Sequence, residues 1–542
     1  MSVAPPSVAE ILEKHVLFTL EGIDRMYLNA MVPRLQREEG VAWFLRGHRG
    51  ARFASSALLD PISKQFVRGI EELVEREQVP LIAFERGQRK DDVTKEQLKR
   101  HGDREGVIYV GRAQEKVRVV RTQKRRNPVT GAPYPWLSMS TAMVNQFYFY
   151  ALDADFGPFF LKFSSYFPYN AKLCINGHEY VKRQLAKEGI AFEALDNGLL
   201  SCADVGRAQQ LCEELSAEKI DGLLRKWLAR LPHPFTPADR AAGYRYELFV
   251  LQAEFSRTQV LDRPVAGRHF FEQVIRDNLD IGRPDQVQLI FNRHVTRRTP
   301  GVFRTRVITE GVTPTLHADY KNTRIKQYHK EGRALRTETT INNTRDFQIG
   351  KSLKNLQKLR EIGFEANRRL LSVERATSDC TIGEDAFDRV HKPAVVDGQR
   401  APALRFGDPL VLALFAALVF FRLQPRGFTN RDLREMTAHL LGSAPDQFSA
   451  GRMTYNLRRL KLHGLIQRVP RSRRYRVTDD GLRIAVFESR LFARTLAPGL
   501  AELFDPAERW RDNPQAPFAR LAAGIDHLLE ITATGRPEWV AA

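Results

Sequence analysis

Residues 315–345 read TLHADYKNTRIKQYHKEGRALRTETTINNTR, two runs rich in Tyr, Ile, Thr and Leu on either side of Glu331-Gly332. Such residues favour a pleated, half-buried strand, and Gly332 supplies the positive φ that a hairpin tip requires. A two-residue tip places Glu338 across from Ile325, with Gln327 and Arg336 on its face. A three-residue loop with a bulge places it across from Arg324. Both registers surround one acid with cations. One reading is a cross-strand ion pair. The other is catalytic: Glu338, with His329, Lys326 or Lys330, cleaves or positions a phosphodiester, the acid holding a metal or orienting water.

Working outward, the charge pattern marks this hairpin as part of a larger surface. The 542 residues carry 84 Lys and Arg against 64 Asp and Glu, a formal net charge of +20. Residues 293–375 hold about +11 of it and 422–494 about +10. Charge gathered in this way is the footprint of a phosphate-backbone ligand, because each neutralised phosphate releases condensed counterions. Arg324, Lys326, Arg333, Arg336, Lys354 and Lys358 are the expected backbone contacts. A basic loop holding Arg46, His48, Arg49 and Arg52 is either a phosphate site or ordinary surface.

Composition narrows the class further. The longest apolar run, Leu410 to Phe421, falls well short of the roughly 20 residues that span a bilayer. No basic segment followed by an apolar one opens the chain, so no secretory signal is expected. Four cysteines (Cys174, Cys202, Cys212, Cys380), none in a C-x-x-C pair, point to a reduced cytoplasm and no structural zinc. A G-x-x-x-x-G-K loop is absent, as is a pair of histidines one residue apart, which argues against an ATPase and a rolling-circle initiator. Asp153, Asp155, Lys162, Glu179 and Asp196 form a further acidic set, but Phe160-Leu161-Lys162 lacks the acid that a restriction-type nuclease places two positions before its lysine. Asp155 reads instead as the start of a turn.

Periodicity and turn residues divide the chain into an α/β region (1–105, with 7–31 helical), an α+β sheet domain (106–202), helices followed by a second, basic sheet and a helix (203–375, including a helix over 238–255), a linker (376–404), a compact module (405–500) and a helical tail (501–542). In the module, Leu410–Phe421 is a buried helix. Thr429 caps a second, Ser449 caps a third that ends at Gly464, and LIQRV, the turn PRSRR and YRVTDDG lead into a last helix. Met453, Leu457 and Leu460 share one face of the third helix, which leaves Arg452, Tyr455, Asn456 and Arg459 outward.

Leu460, Gly464-Leu465-Ile466, Arg468, Tyr475, Thr478 and Gly481 resemble the spacing of the MarR-like and ArsR-like winged helix-turn-helix regulators. The resemblance implies that helix 449–463 enters the major groove and that Arg471, Arg473 and Arg474 reach backbone or minor groove. NGHEY (176–180), LDNG (195–198), LDIGRPD (279–285) and LRTETTIN (335–342) are similar to phrases in a widespread group of uncharacterised bacterial proteins, which brings no activity with it.

The expectation is therefore a multidomain α+β chain, a mixed α/β body with antiparallel sheets followed by a C-terminal winged helix. Its expected role is that of a cytoplasmic bacterial DNA-binding protein that serves a mobile or replicating element. DNA is expected in preference to RNA, with no membrane partner, a homodimer as an option and no cofactor. The alternatives are an RNA-binding protein and a nuclease or strand-processing enzyme, for which alone Mg²⁺ or Mn²⁺ would enter.

Overall fold

The computed structural model describes residues 8–85, 87–278, 305–310, 313–330, 332–378, 384–422, 424, 427–443 and 448–492. They fall into two compact units. One is Val16–Gly267 with Thr309–Asn367; the other comprises the described parts of Met1–His15, Arg268–Ile308 and Arg368–Ala542. The expected strand over 286–299 and the tail 501–542 lie outside the described residues, as does Glu331.

Eleven strands form one sheet of mixed α/β character: β1 (Val16–Met31), β2 (Leu81–Ala83), β3 (Gly106–Arg126), β4 (Pro133–Asp153), β5 (Gly157–Ser164), β6 (Ala171–Asn176), β9 (Glu247–Leu261), β10 (Thr305–Glu310), β11 (Thr313–Tyr320), β12 (Thr323–Lys330) and β13 (Ala334–Ile341). A small separate hairpin joins β7 (Phe192–Leu195) and β8 (Gly198–Cys202). The order across the large sheet is β10-β11-β12-β13-β9-β1-β6-β5-β4-β3-β2. It is mostly antiparallel, with β2 parallel to β3. The two sheets expected from the sequence are thus one, joined where β9 pairs with both β13 and β1.

That junction corrects two expectations. Residues 16–31 and 247–261, read as helical, are its two central strands. In β1, Met26, Leu28 and Ala30 are buried while Arg25, Tyr27 and Asn29 are half-buried, the period of two that a strand imposes. Short apolar runs satisfy helical and strand spacing equally well, and pairing on both sides decides for the strand. Only Val8–Lys14 is helical there (α1).

After α1, the helices of the chain up to residue 378 are α2 (Glu38–Trp43), α3 (Asp60–Glu77), α4 (Lys90–His101), α5 (Gly177–Lys187), α6 (Val205–Glu214), α7 (Ala217–Arg230), α8 (Pro237–Ala241), α9 (Pro264–Asn278) and α10 (Leu356–Ser378). Four of them share the main core with the strands: Phe66 and Ile70 of α3, Tyr180 and Leu185 of α5, Leu224 and Trp227 of α7, and Leu359 and Ile362 of α10 are buried with Met26, Phe149, Phe163, Leu173 and Phe255. Part of the basic loop is engaged internally, while Arg46 and Arg52 are exposed. His48 and Arg49 hold the buried carboxylate of Asp239 at 2.8 and 2.5 Å, and Asp239 completes a capping box with Thr236.

In the second unit, residues 384–404, expected to be a linker, form α11 (Glu384–His391) and a hairpin of β14 (Ala394–Val396) and β15 (Gln399–Ala401). There follow α12 (Pro409–Arg422), α13 (Asn430–Leu440), α14 (Ala450–Leu462), a second hairpin of β16 (Ile466–Arg468) and β17 (Tyr475–Val477), and α15 (Asp479–Leu491). Thr429 and Asp432 form a capping box on α13, Ser449 caps α14, and Thr478 caps α15. Among the described residues no helix is long and apolar enough to cross a membrane.

Candidate functional site

The β12–β13 hairpin closes in neither expected register. Lys330 pairs with Ala334, Gly332 adopts φ +69°, and Glu338 lies across from Lys326. The next strand places Ser256 opposite Glu338 and Thr258 opposite Arg336. These positions bring a set of polar side chains together between β13, β9, β1 and the start of α5.

Arg336 is its centre and is wholly buried, not the phosphate contact expected of it. Its Nε donates to Glu338 Oε1 at 2.6 Å. Nη2 donates to Asp24 Oδ2 at 2.6 Å and to His178 Nε2 at 2.9 Å, and Nη1 donates to Thr258 Oγ1 at 3.2 Å and to the Asn197 carbonyl. A guanidinium has no lone pair to give, so His178 Nε2 must be the acceptor there and its ring is the Nδ1–H tautomer. Ser256 Oγ lies 2.9 Å from the same nitrogen. Glu338 also accepts from Tyr328 Oη at 2.8 Å, and Asn197 donates to Asp24 while accepting from Asn176 Nδ2 at 2.8 Å. Asn176 Oδ1 caps α5 on His178 N and Glu179 N. Gly177 permits the approach, since a Cβ there would fall 2.2 Å from the Ile23 carbonyl oxygen.

The two carboxyl groups bound to Arg336 are driven apart. Burial alone would raise Asp24, but Arg336 beside it and hydrogen bonds from Glu338 and Arg336 hold it below the usual carboxylate range. Burial raises Glu338 and the Asp24 charge adds to this, against the pull of Arg336. Glu254, further along β9, is pushed up to about 7 by burial and then by the Asp24 charge. His178 is pushed down to about 3 by burial and by Arg336, so it is neutral. Of the two acids Asp24 is the more readily ionised and Glu338 the less. Among the described residues no group of three or more His, Cys, Asp or Glu side chains could hold a metal ion; Arg336 already occupies the point between Asp24 and Glu338.

Of the other expected residues, Lys330 lies near enough for its charge to depress His178, and the Lys326 ammonium lies 4.4 Å from the Tyr328 ring. His329 is the correction: it alternates away from Tyr328, and a Cβ on Gly267 would fall 2.2 Å from its Nε2. Arg324 donates to Asp319 at 2.7 Å; Arg333, Lys354 and Lys358 are exposed. Asp153 is tied to Lys226 and Trp227 and accepts from Asp155 N, so that acidic set forms a turn and an ion pair.

In the second unit Arg452, Tyr455, Arg471 and Arg473 are exposed, with Arg471 at φ +53°. Three expected contacts are instead engaged internally. Asn456 is buried and donates to the Arg452 carbonyl. Arg459 donates to the Ala403 carbonyl at 2.5 Å, and Arg474 to the Gly427 carbonyl at 2.9 Å. Helical spacing missed this because the β14–β15 hairpin packs beside α14 and turns part of its outer face inward. Arg458, on the exposed side, was overlooked. No protein-family model, no curated protein and no solved structure matches the chain.

Two outcomes test the cluster. Arg336→Met leaves Asp24 buried without its counter-charge and should cost about 3–5 kcal/mol in urea unfolding; a loss near zero would show the network to be ornamental. Glu254 has a folded pKa above its unfolded one, so its contribution is complete below the ordinary carboxylate value and is lost as pH rises toward about 7. Glu254→Gln should therefore flatten the fall in stability over that interval when melting temperature is followed against pH.

Proposed function

We propose that the chain binds duplex DNA and that its C-terminal unit works as a winged helix, α14 entering the major groove and the β16–β17 tip meeting the backbone. The observation that carries this reading is the set of cations in that unit with no acid to answer them. Arg452 and Tyr455 project from the first turns of α14, and Arg471 and Arg473 from the β16–β17 turn. None of these arginines makes an ion pair among the described residues, whereas Arg389, Arg422 and Arg431 of the same unit are paired with Asp480, Asp479 and Glu435. The turn encloses an open recess of about 630 Å³ lined by Arg468, Arg471 and Arg473, a size and charge suited to phosphate groups.

Arg452 and Tyr455 are the side chains left for base edges once Asn456 and Arg459 are committed internally. Replacing Arg471 and Arg473 together by Ala should weaken binding evenly across sequences and reduce the slope of log affinity against log salt by about two. Arg452→Ala should instead change which duplex is preferred. Fluorescence anisotropy with labelled duplexes over a KCl series reads both. Parental behaviour in both variants would remove the C-terminal unit from the interface.

A second reading, in which the body also cuts or processes the bound strand, is favoured by the opposed carboxyl groups of Asp24 and Glu338. Incubation of labelled duplex, single-stranded DNA and RNA with Mg²⁺ or Mn²⁺ should then yield product that Glu338→Gln abolishes. Intact substrate throughout would leave the binding function alone.

A further inference from the structure

Strands β3 and β4 run together well past the rest of the sheet. β2 meets β3 only over Val110–Arg112, and β5 meets β4 only from Gln146 onward. Residues 114–126 and 133–144 therefore pair, as strands, with each other alone. Thirteen residues of antiparallel strand reach about 40 Å. The ribbon is tied to the body part-way along its length. Ser56 N donates to Thr122 Oγ1 at 2.7 Å, Met139 N donates to Glu38 Oε1 at 3.1 Å, and Val119, Val120 and Leu137 are buried. The tip is shaped as well. Asn127 Oδ1 accepts from Val129 N and Thr130 N at 2.9 and 3.2 Å, and Gly131 N returns to the Asn127 carbonyl at 2.9 Å.

What the ribbon shows to solvent is cationic. Arg112, Lys116, Arg118, Arg121, Lys124, Arg125 and Arg126 are all exposed. The single acid between Gly106 and Leu152 is Glu115, and it is engaged by Lys162 at 2.7 Å and by Tyr148. None of the seven makes an ion pair among the described residues. Several half-buried cations elsewhere in this unit are paired: Lys226 with Glu105 and Asp153, Arg207 with Glu188 and Glu214, Arg257 with Glu21. Like charges along one strand repel, so the free ribbon carries an electrostatic cost that a polyanion would relieve. Near the tip Tyr134 and Trp136 are 37% and 44% exposed, and the Arg125 guanidinium lies 4.6 Å from the Trp136 ring.

We propose that this ribbon is a nucleic-acid contact in its own right, lying along a groove of duplex DNA with its arginines and lysines on phosphates and its tip aromatics against sugars and base edges. Two strands about 4.8 Å apart fit, with their side chains, a major groove about 12 Å wide. Their length spans about one helical turn of roughly 34 Å. The proposal stands on the ribbon alone and does not depend on the C-terminal unit.

The test uses the full chain, a labelled DNA duplex and, separately, phosphatidylserine vesicles. A variant carrying Arg118→Gln, Arg121→Gln, Lys124→Gln and Arg125→Gln should keep the parental melting temperature, bind duplex at least tenfold more weakly at low salt, and lose about three to four units of salt slope. A parental slope in that variant overturns the proposal, and so does vesicle binding that the variant loses while its DNA binding is untouched. Hydrogen exchange of the parent gives a second measurement that needs no substitution. Slowed exchange over residues 114–145 on adding duplex supports the contact, and unchanged exchange there overturns it. A companion variant with Arg452, Arg471 and Arg473 replaced by Ala separates the two sites. Binding lost there and intact in the ribbon variant sinks the ribbon and keeps the winged-helix reading; the converse keeps the ribbon and sinks the other.

Discussion

A guanidinium sealed from water must have its charge answered inside the protein, and Arg336 is answered by five acceptors, Thr258 of β9 among them. Asp24 lies 312 residues away in sequence, yet the two side chains meet at 2.6 Å. Glu338 comes from the same strand, His178 from the first turn of α5, and the Asn197 carbonyl from the turn between β7 and β8. Desolvating an ion costs several kcal/mol, and only well-placed partners return it. The β12–β13 hairpin, the central strands and the helix that follows β6 are thus held to one geometry by a single side chain. Packing of apolar groups supplies the bulk of the stability, and this network selects among otherwise similar arrangements of strands.

Charge in the molecule divides along the same line. Several cations of the body are paired, as at Arg336, at Arg49 with Asp239, and at Lys162 with Glu115. Where cations lie on the β3–β4 ribbon and on the α14 and β16–β17 surfaces, they stand without acids. Cations gathered on single elements in this way are what the proposed polyanion contact would use.

How much of this was legible depended on the kind of signal. Elements of the C-terminal unit were readable because Thr429, Ser449 and Thr478 are capping residues directly before periodic apolar runs, a local signal that tertiary structure does not override. The central strands β1 and β9 were misread because burial on both sides erases alternation in parts of each, leaving apolar spacing that suits a helix as well. Glu338 could be singled out from its cationic surroundings, but Asp24, Tyr328, Glu254 and Ser256 could not, since their meeting depends on strand order. Asn176, His178 and Asn197 lie within NGHEY and LDNG, phrases that had been noticed with no role attached. The hairpin register failed by the smallest margin, one residue of loop closure, and that margin decides which side chain faces Glu338. The ribbon's arginines went unremarked because the stretch 106–126 reads as an ordinary strand, and only the pairing of β3 with β4 beyond the rest of the sheet shows them projecting on one element.

The central claim is that unmatched cations on the surface exist for a phosphate backbone. Equilibrium binding of the unmodified chain to a DNA duplex, followed across a salt series, addresses it most directly. The account requires log affinity to fall with log salt at a slope of about −4 or steeper, since at least that many exposed arginines and lysines would displace counterions. A shallow slope, or no binding at low salt, would contradict it.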